Sequence, residues 1–127
     1  MRSQYHFRMS PQGLCAWDIK RVAELSSSLP RERVPLSAIR ELDEGYWNSN
    51  GSRPLTCRDV AEHARLILDS DLAYPIILFS DGRVMDGMHR VCKALVQGLN
   101  EVEAVRFLVD PKADYIGVQP DDLPYQD

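Results

Sequence analysis

Cysteine is scarce in this 127-residue chain. Cys15, Cys57 and Cys92 form an odd, scattered set, none within metal-knuckle distance of another. That argues against a disulfide framework and fits a reducing compartment, the cytoplasm being expected. The histidines, His6, His63 and His89, are equally dispersed, so no structural metal site is expected. No apolar run approaches the roughly 18–20 residues that cross a bilayer. The start, "MRSQYHFRMSPQG", has charge but no apolar stretch of the kind that marks a secretory signal. Excess positive charge is also missing. The net charge is −4, so duplex DNA is not an expected partner, although a local basic pocket remains open. There is no internal repeat and no low-complexity tract.

Apolar and charged contents of 44% and 27% suit a globular domain with one modest core. Residues 1–15 lack a clear period, but alternating Tyr5 and Phe7 allow a short strand or an ordered arm. Residues 16–29 read as a helix with Trp17, Val22, Leu25 and Leu29 on a broken apolar stripe. A short strand is expected at 31–36. A short helix follows within 35–47, with Ser37 as N-cap and Ile39 and Leu42 on one face. A loop at 48–54 leads to Thr56, which with Asp59 makes a capping-box start. That helix should run to about Ser70, with Val60, Ala64, Ile67 and Leu68 inward. "YPIILF" (74–79) reads as a buried strand. Asp81-Gly82 reads as a two-residue hairpin turn and 83–86 as the return strand. A helix over 88–97 ends at Gly98, and 101–109 holds one more strand. From Asp110 the chain carries five Asp, one Lys and three Pro. An extended tail lying on the domain is expected there. The expected class is α/β (α+β) with a small mixed sheet. It divides into an N-terminal arm and helix (1–30), a core (31–109) and an acidic tail (110–127).

The segment "DGMHRVCKAL" (86–95) breaks a local rule. As a helix it places Met88, Val91, Cys92 and Leu95 on one face, with His89 and Lys93 on another and Arg90 close by. Gly87 leaves the first backbone N–H groups open, and those groups carry the positive end of the helix dipole. Two cationic or potentially cationic side chains in that turn are unfavourable unless an anion offsets them. A phosphate or carboxylate would do so, taking backbone N–H bonds and an Arg fork. The alternative is a turn glycine, an Arg90–Asp86 pair and a solvated His89.

"YPIILFSDGRVMDGMHRVCKAL", with "RVPLSAIRELDE" upstream, resembles the ParB/sulfiredoxin superfamily over about residues 31–109. The shared pattern is an apolar strand, a turn, a short strand ending in Asp-Gly, then a variable residue, His and Arg opening a helix. The resemblance implies nucleotide phosphates held by Gly87, Met88 (through its backbone), His89 and Arg90, with Lys93 adding charge. It implies ATP or CTP with Mg²⁺ as the ligand class. It also implies a catalytic carboxylate at Asp86, joined by Glu41, Asp43 or Glu44, as in the superfamily's free serine kinases. A phosphotransferase or nucleotide hydrolase is one outcome. A non-catalytic regulatory or interaction module that keeps the fold is the other. Two carboxylates beside the bound phosphate would favour the enzyme, and Asp86 alone would favour the module. Met88 stands where sulfiredoxins carry their catalytic Cys, so that chemistry is not expected. Nor is centromere binding, because an acidic tail rather than a helix-turn-helix follows the core.

Other residues have plainer readings. Asp81 and Asp86 read as turn and cap residues rather than an acid–base pair. His63 reads as a surface or boundary residue, and Tyr46-Trp47 as a core plug or a stacking platform. Arg53 and Arg58 read as solvated, with Arg58 an alternative phosphate contact. Met9, Met85 and Met88 read as core filler. Oligomeric state is not legible.

Overall fold

The computed structural model describes residues 4–48 and 54–125; the reading of Arg53 and of most of the 48–54 loop lies outside them. The main sheet has the order β3-β6-β4-β5, formed by Glu32–Pro35, Glu101–Arg106, Ile76–Leu78 and Val84–Asp86. β4 runs parallel to β6, while β3–β6 and β4–β5 are antiparallel. The class is α+β, and the sheet is mixed as expected.

Both faces of this sheet are covered, which explains the unbroken apolar run of β4. Ile76 and Leu78 face one cluster with Val84, Met88, Val91 and Val102. Ile77 and Phe79 face a second with Trp17, Val22, Met85, Val105 and Phe107. The first cluster is roofed by α3 (Met88–Val96) and by three 3₁₀ turns at Leu36–Ala38, Arg40–Asp43 and Tyr46–Asn48. The second is covered by a smaller sheet, β1 (Tyr5–Ser10), β2 (Gly13–Asp18) and β7 (Tyr115–Ile116), and by α1 (Ile19–Ser26). The tail thus lies on the domain and supplies a two-residue strand. Trp17 Nε1 donates to the Pro111 carbonyl at 2.8 Å, and Leu123 is buried.

Several expectations need correction. Residues 16–18 belong to β2, not to a helix. Trp17 pairs with His6 across the ladder, and the Asp18 side chain caps α1 by accepting from the Lys20 N–H. The 35–47 segment is not an α-helix, and Ser37 is not its cap. Ile39 N–H bonds to Leu36 O and Leu42 N–H to Ile39 O. Leu36, Ile39 and Leu42 recur every third residue, the 3₁₀ period. The β4–β5 hairpin has a three-residue loop. Phe79 and Arg83 pair, Gly82 N–H returns to Phe79 O, and Gly82 takes φ +87°. A left-handed glycine thus closes the loop, as is common in three-residue hairpins. The end of α3 is as expected: Gly98 N–H bonds to Leu95 O and Leu99 N–H to Ala94 O, the Schellman pattern. Leu95, however, is exposed, and Ala94 takes its place in the core. Met9 is exposed as well, whereas Met85 and Met88 are core residues.

The capping box of α2 (Cys57–Asp69) is present. Thr56 Oγ1 accepts from the Asp59 N–H, and the Asp59 carboxylate accepts from the Thr56 N–H. Yet α2 has no fully buried residue. Val60 and Leu68 face solvent, while Asp59, His63, Ile67 and Ser70 turn inward. With so little packing to hold it, α2 depends on its cap. Thr56→Ala is expected to cost about 1 kcal/mol. Amide exchange within α2 should rise about five-fold while the sheet amides stay unchanged. No helix among the described residues is long and apolar enough to cross a membrane.

Candidate functional site

The Asp-Gly-Met-His-Arg segment lies where β5 turns into α3. Asp86 ends β5 opposite Ile77. Gly87 is the N-cap, with φ +113° and ψ +20°, and no side chain caps the helix. A Cβ at this position would lie 2.7 Å from Ile76 Cγ2, so glycine is required both by conformation and by space. The Met88, His89 and Arg90 amides occupy the first turn, where an α-helix supplies no internal acceptor. The same residues line a cavity of about 400 Å³, with Asp86, Gly87, Met88, His89 and Arg90 on one wall and Tyr46 and Trp47 on another.

The side chains here are more engaged than expected. Arg90 donates from Nη1 to the Pro75 carbonyl and from Nη2 to Asp86 Oδ2, each at 3.1 Å. The Arg90–Asp86 pair is therefore real, and it sits in the cavity wall. His89 is not a solvated group. Its Nε2 lies 2.9 Å from His63 Nδ1. Both rings stack on the Trp47 indole, His63 at 4.1 Å and His89 at 5.0 Å between centroids. Burial pushes the His89 pKa down, the His63 charge adds to this, and the Asp86 charge opposes it. His63, a boundary residue by its sequence position, is half-buried here. It joins the site because α2 packs on α3, and no local pattern announces a partner 26 residues away.

Lys93 is not on this wall. Its ammonium donates to the Leu68 and Ser70 carbonyls at 2.9 and 2.5 Å, closing the C-terminal end of α2. Arg58 is exposed. Asp81 belongs to the hairpin loop, where Arg8 binds it at 2.6 Å and holds its carboxyl below the usual range.

The three upstream carboxylates have separate fates. Glu44 takes a bidentate Arg83 fork at 2.8 Å on both arms, and that bond holds its pKa low. Asp43 is exposed. Glu41 is the one turned inward. It is only 4% exposed, and its Oε2 accepts the Val84 N–H at 2.6 Å. None of the three lines the cavity at Gly87, whose one carboxylate among the described residues is Asp86. Tyr46 stands between the two regions. Burial, with the Glu41 and Asp86 charges, pushes its hydroxyl up to about 12. Among the described residues, no group of three or more His, Cys, Asp or Glu is arranged for a metal ion. Asp86 could offer Mg²⁺ one hard oxygen, but that carboxylate is paired with Arg90.

No protein-family model, curated protein or solved structure matches the chain.

Proposed function

We propose that the chain binds a phosphate-bearing small molecule at the start of α3, a nucleotide being the class that the ParB/sulfiredoxin resemblance suggests. The observation that carries this reading is the uncapped first turn of α3, whose residues line a 400 Å³ cavity with Arg90 and His89 among them. An anion there would accept the free amides and gain from the helix dipole. It would also compete with Asp86 for Arg90, whose guanidinium has donors beyond the two already placed. Trp47 and Tyr46 supply the aromatic surface that a base or another flat group would meet.

The same wall favours a binding module over a transferase. Phosphoryl transfer or hydrolysis needs a base positioned at the attacking hydroxyl or water. Asp86 is the candidate, and it is already paired with Arg90. Glu41 lies beyond Tyr46, in a different cavity.

A thermal-shift panel of ATP, CTP, GTP and pyrophosphate, each with and without Mg²⁺, tests the reading. A ligand at 100 times its Kd should stabilise the native chain by about 2.7 kcal/mol. Arg90→Ala should weaken that ligand ten- to a hundred-fold, the usual worth of a charged hydrogen bond. If none of the probes shifts the native chain, or if Arg90→Ala shifts equally, the reading fails.

A further inference from the structure

A second cavity, of about 240 Å³, lies between β1 and the β4–β5 hairpin, about eight waters' worth of liquid. Its aromatic walls are Tyr5, Phe7, Tyr46 and Phe79, and Glu41 also lines it. Glu41 Oε2 is satisfied by Val84, but Oε1 is buried and accepts no hydrogen bond from any described residue. A buried carboxylate oxygen without a donor is costly, and native proteins seldom leave one without a reason.

The nearby charges do not remove the imbalance. Arg8 is held by Asp81 at 2.6 Å. Arg83 gives its fork to Glu44 at 2.8 Å and only its Nε edge to Glu41, at 3.6 Å. Two guanidinium cations and two carboxylates line the cavity, but both cations are engaged closely by other carboxylates, and Glu41 keeps only the 3.6 Å contact. His6, also in the lining, adds no charge at neutral pH, because burial and the two arginines lower its pKa to about 4. Glu41 is thus the carboxylate with the weakest ion pair, next to a missing hydrogen-bond donor and among aromatic faces that favour a cation.

We propose that this cavity is a second binding site, taking a small organic cation that carries N–H donors, a primary ammonium in the first instance, with Glu41 as its anchor. The ammonium donates to Glu41 Oε1, and its carbon skeleton lies against Phe7 and Tyr46. The site stands apart from the phosphate pocket across Tyr46, and it does not depend on that pocket binding anything.

Propylammonium, with 1-propanol as its uncharged counterpart, tests this by NMR titration of the full chain. Propylammonium should saturably shift the Phe7, Tyr46 and Phe79 ring signals, and 1-propanol should not. Glu41→Gln keeps the side chain's shape and should weaken the ammonium at least ten-fold. Arg90→Ala should leave it unchanged, so the two sites fail or succeed separately. The native-chain comparison stands even if Glu41→Gln does not fold. The proposal is overturned if propylammonium gives no saturable shift, if 1-propanol matches it, or if Glu41→Gln binds it equally. It is also overturned if inorganic phosphate shifts the Phe7 and Phe79 rings, which line this cavity and not the phosphate pocket, because the arginines would then set the sign of the site.

Discussion

Replacing Gly87 by alanine is expected to destabilise the fold by about 3 kcal/mol, a melting-point loss of about 10 °C for a chain this size. Two costs add. A residue with a Cβ at φ +113° leaves the ordinary allowed regions, for about 1–2 kcal/mol. The new methyl would also meet Ile76 Cγ2 at 2.7 Å and Ile76 Cβ at 2.9 Å, and overpacking of a core side chain adds about 1–3 kcal/mol. Ile76 is fully buried in β4, so it cannot simply swing away. Urea unfolding of Gly87→Ala, Ile76→Ala and the double variant separates the two costs. The clash should disappear when Ile76 is truncated, so alanine at 87 should cost at least 1 kcal/mol less in that background. An identical cost in both backgrounds would place the whole penalty in the backbone. A cost below about 0.5 kcal/mol would mean that the left-handed entry to α3 is not held at all. Because this one residue sets the entry to α3, the affinity for the proposed phosphate ligand should fall along with stability.

That glycine was legible, and the reason lies in how local its evidence is. Asp-Gly followed by His-Arg on an apolar-periodic run states a turn, a helix start and a charge anomaly within five residues. The Thr56–Asp59 cap, the β4 run and the Gly98 stop were readable for the same reason. Misreadings arose where a distant partner decides. Trp17 falls at helical spacing from Leu25, eight residues on, yet His6 draws it into a ladder. Val60 and Leu68 look like a helix core face, but the rings of His89 and Trp47 pull His63 inward, and the helix rotates to suit. Glu41, Asp43 and Glu44 could not be ranked from their own neighbourhood. The Val84 N–H, 43 residues on, buries the first, and Arg83 holds the third at the surface. Lys93 shares a helix face with His89, but the carbonyls that end α2 lie nearer to its ammonium than any ligand wall.

Acidification should weaken the fold well before the carboxylates titrate, and His6 should carry most of the effect. Its ring packs 5.5 Å from Phe79 and 6.1 Å from Trp17. Burial first, and then the Arg8 and Arg83 charges, bring its pKa from 6.5 to about 4. In the unfolded chain His6 takes a proton as pH falls through about 6.5, while in the folded chain it stays neutral until about 4. Between those limits the unfolded state binds more protons, so unfolding becomes easier as pH falls. The accumulated loss is roughly 2–3 kcal/mol by pH 4 relative to pH 7, allowing for partial solvent access. Asp81 and Glu44, whose pKa values are lowered by arginine partners, begin to lose their contribution only as pH enters the ordinary carboxylate range, so their effect meets that of His6 at the acid end of this window. His89, lowered in the same direction, adds a smaller slope in the same window. Chemical denaturation at intervals from pH 7.5 to 4 should therefore show falling stability in the native chain. His6→Gln, which fills similar space without titrating, should remove most of the fall, and a His89→Gln variant should remove less. If the native curve is flat above pH 4.5, the hairpin does not exclude water from His6, and the packing of β1 over Phe79 is looser than its ring distances imply.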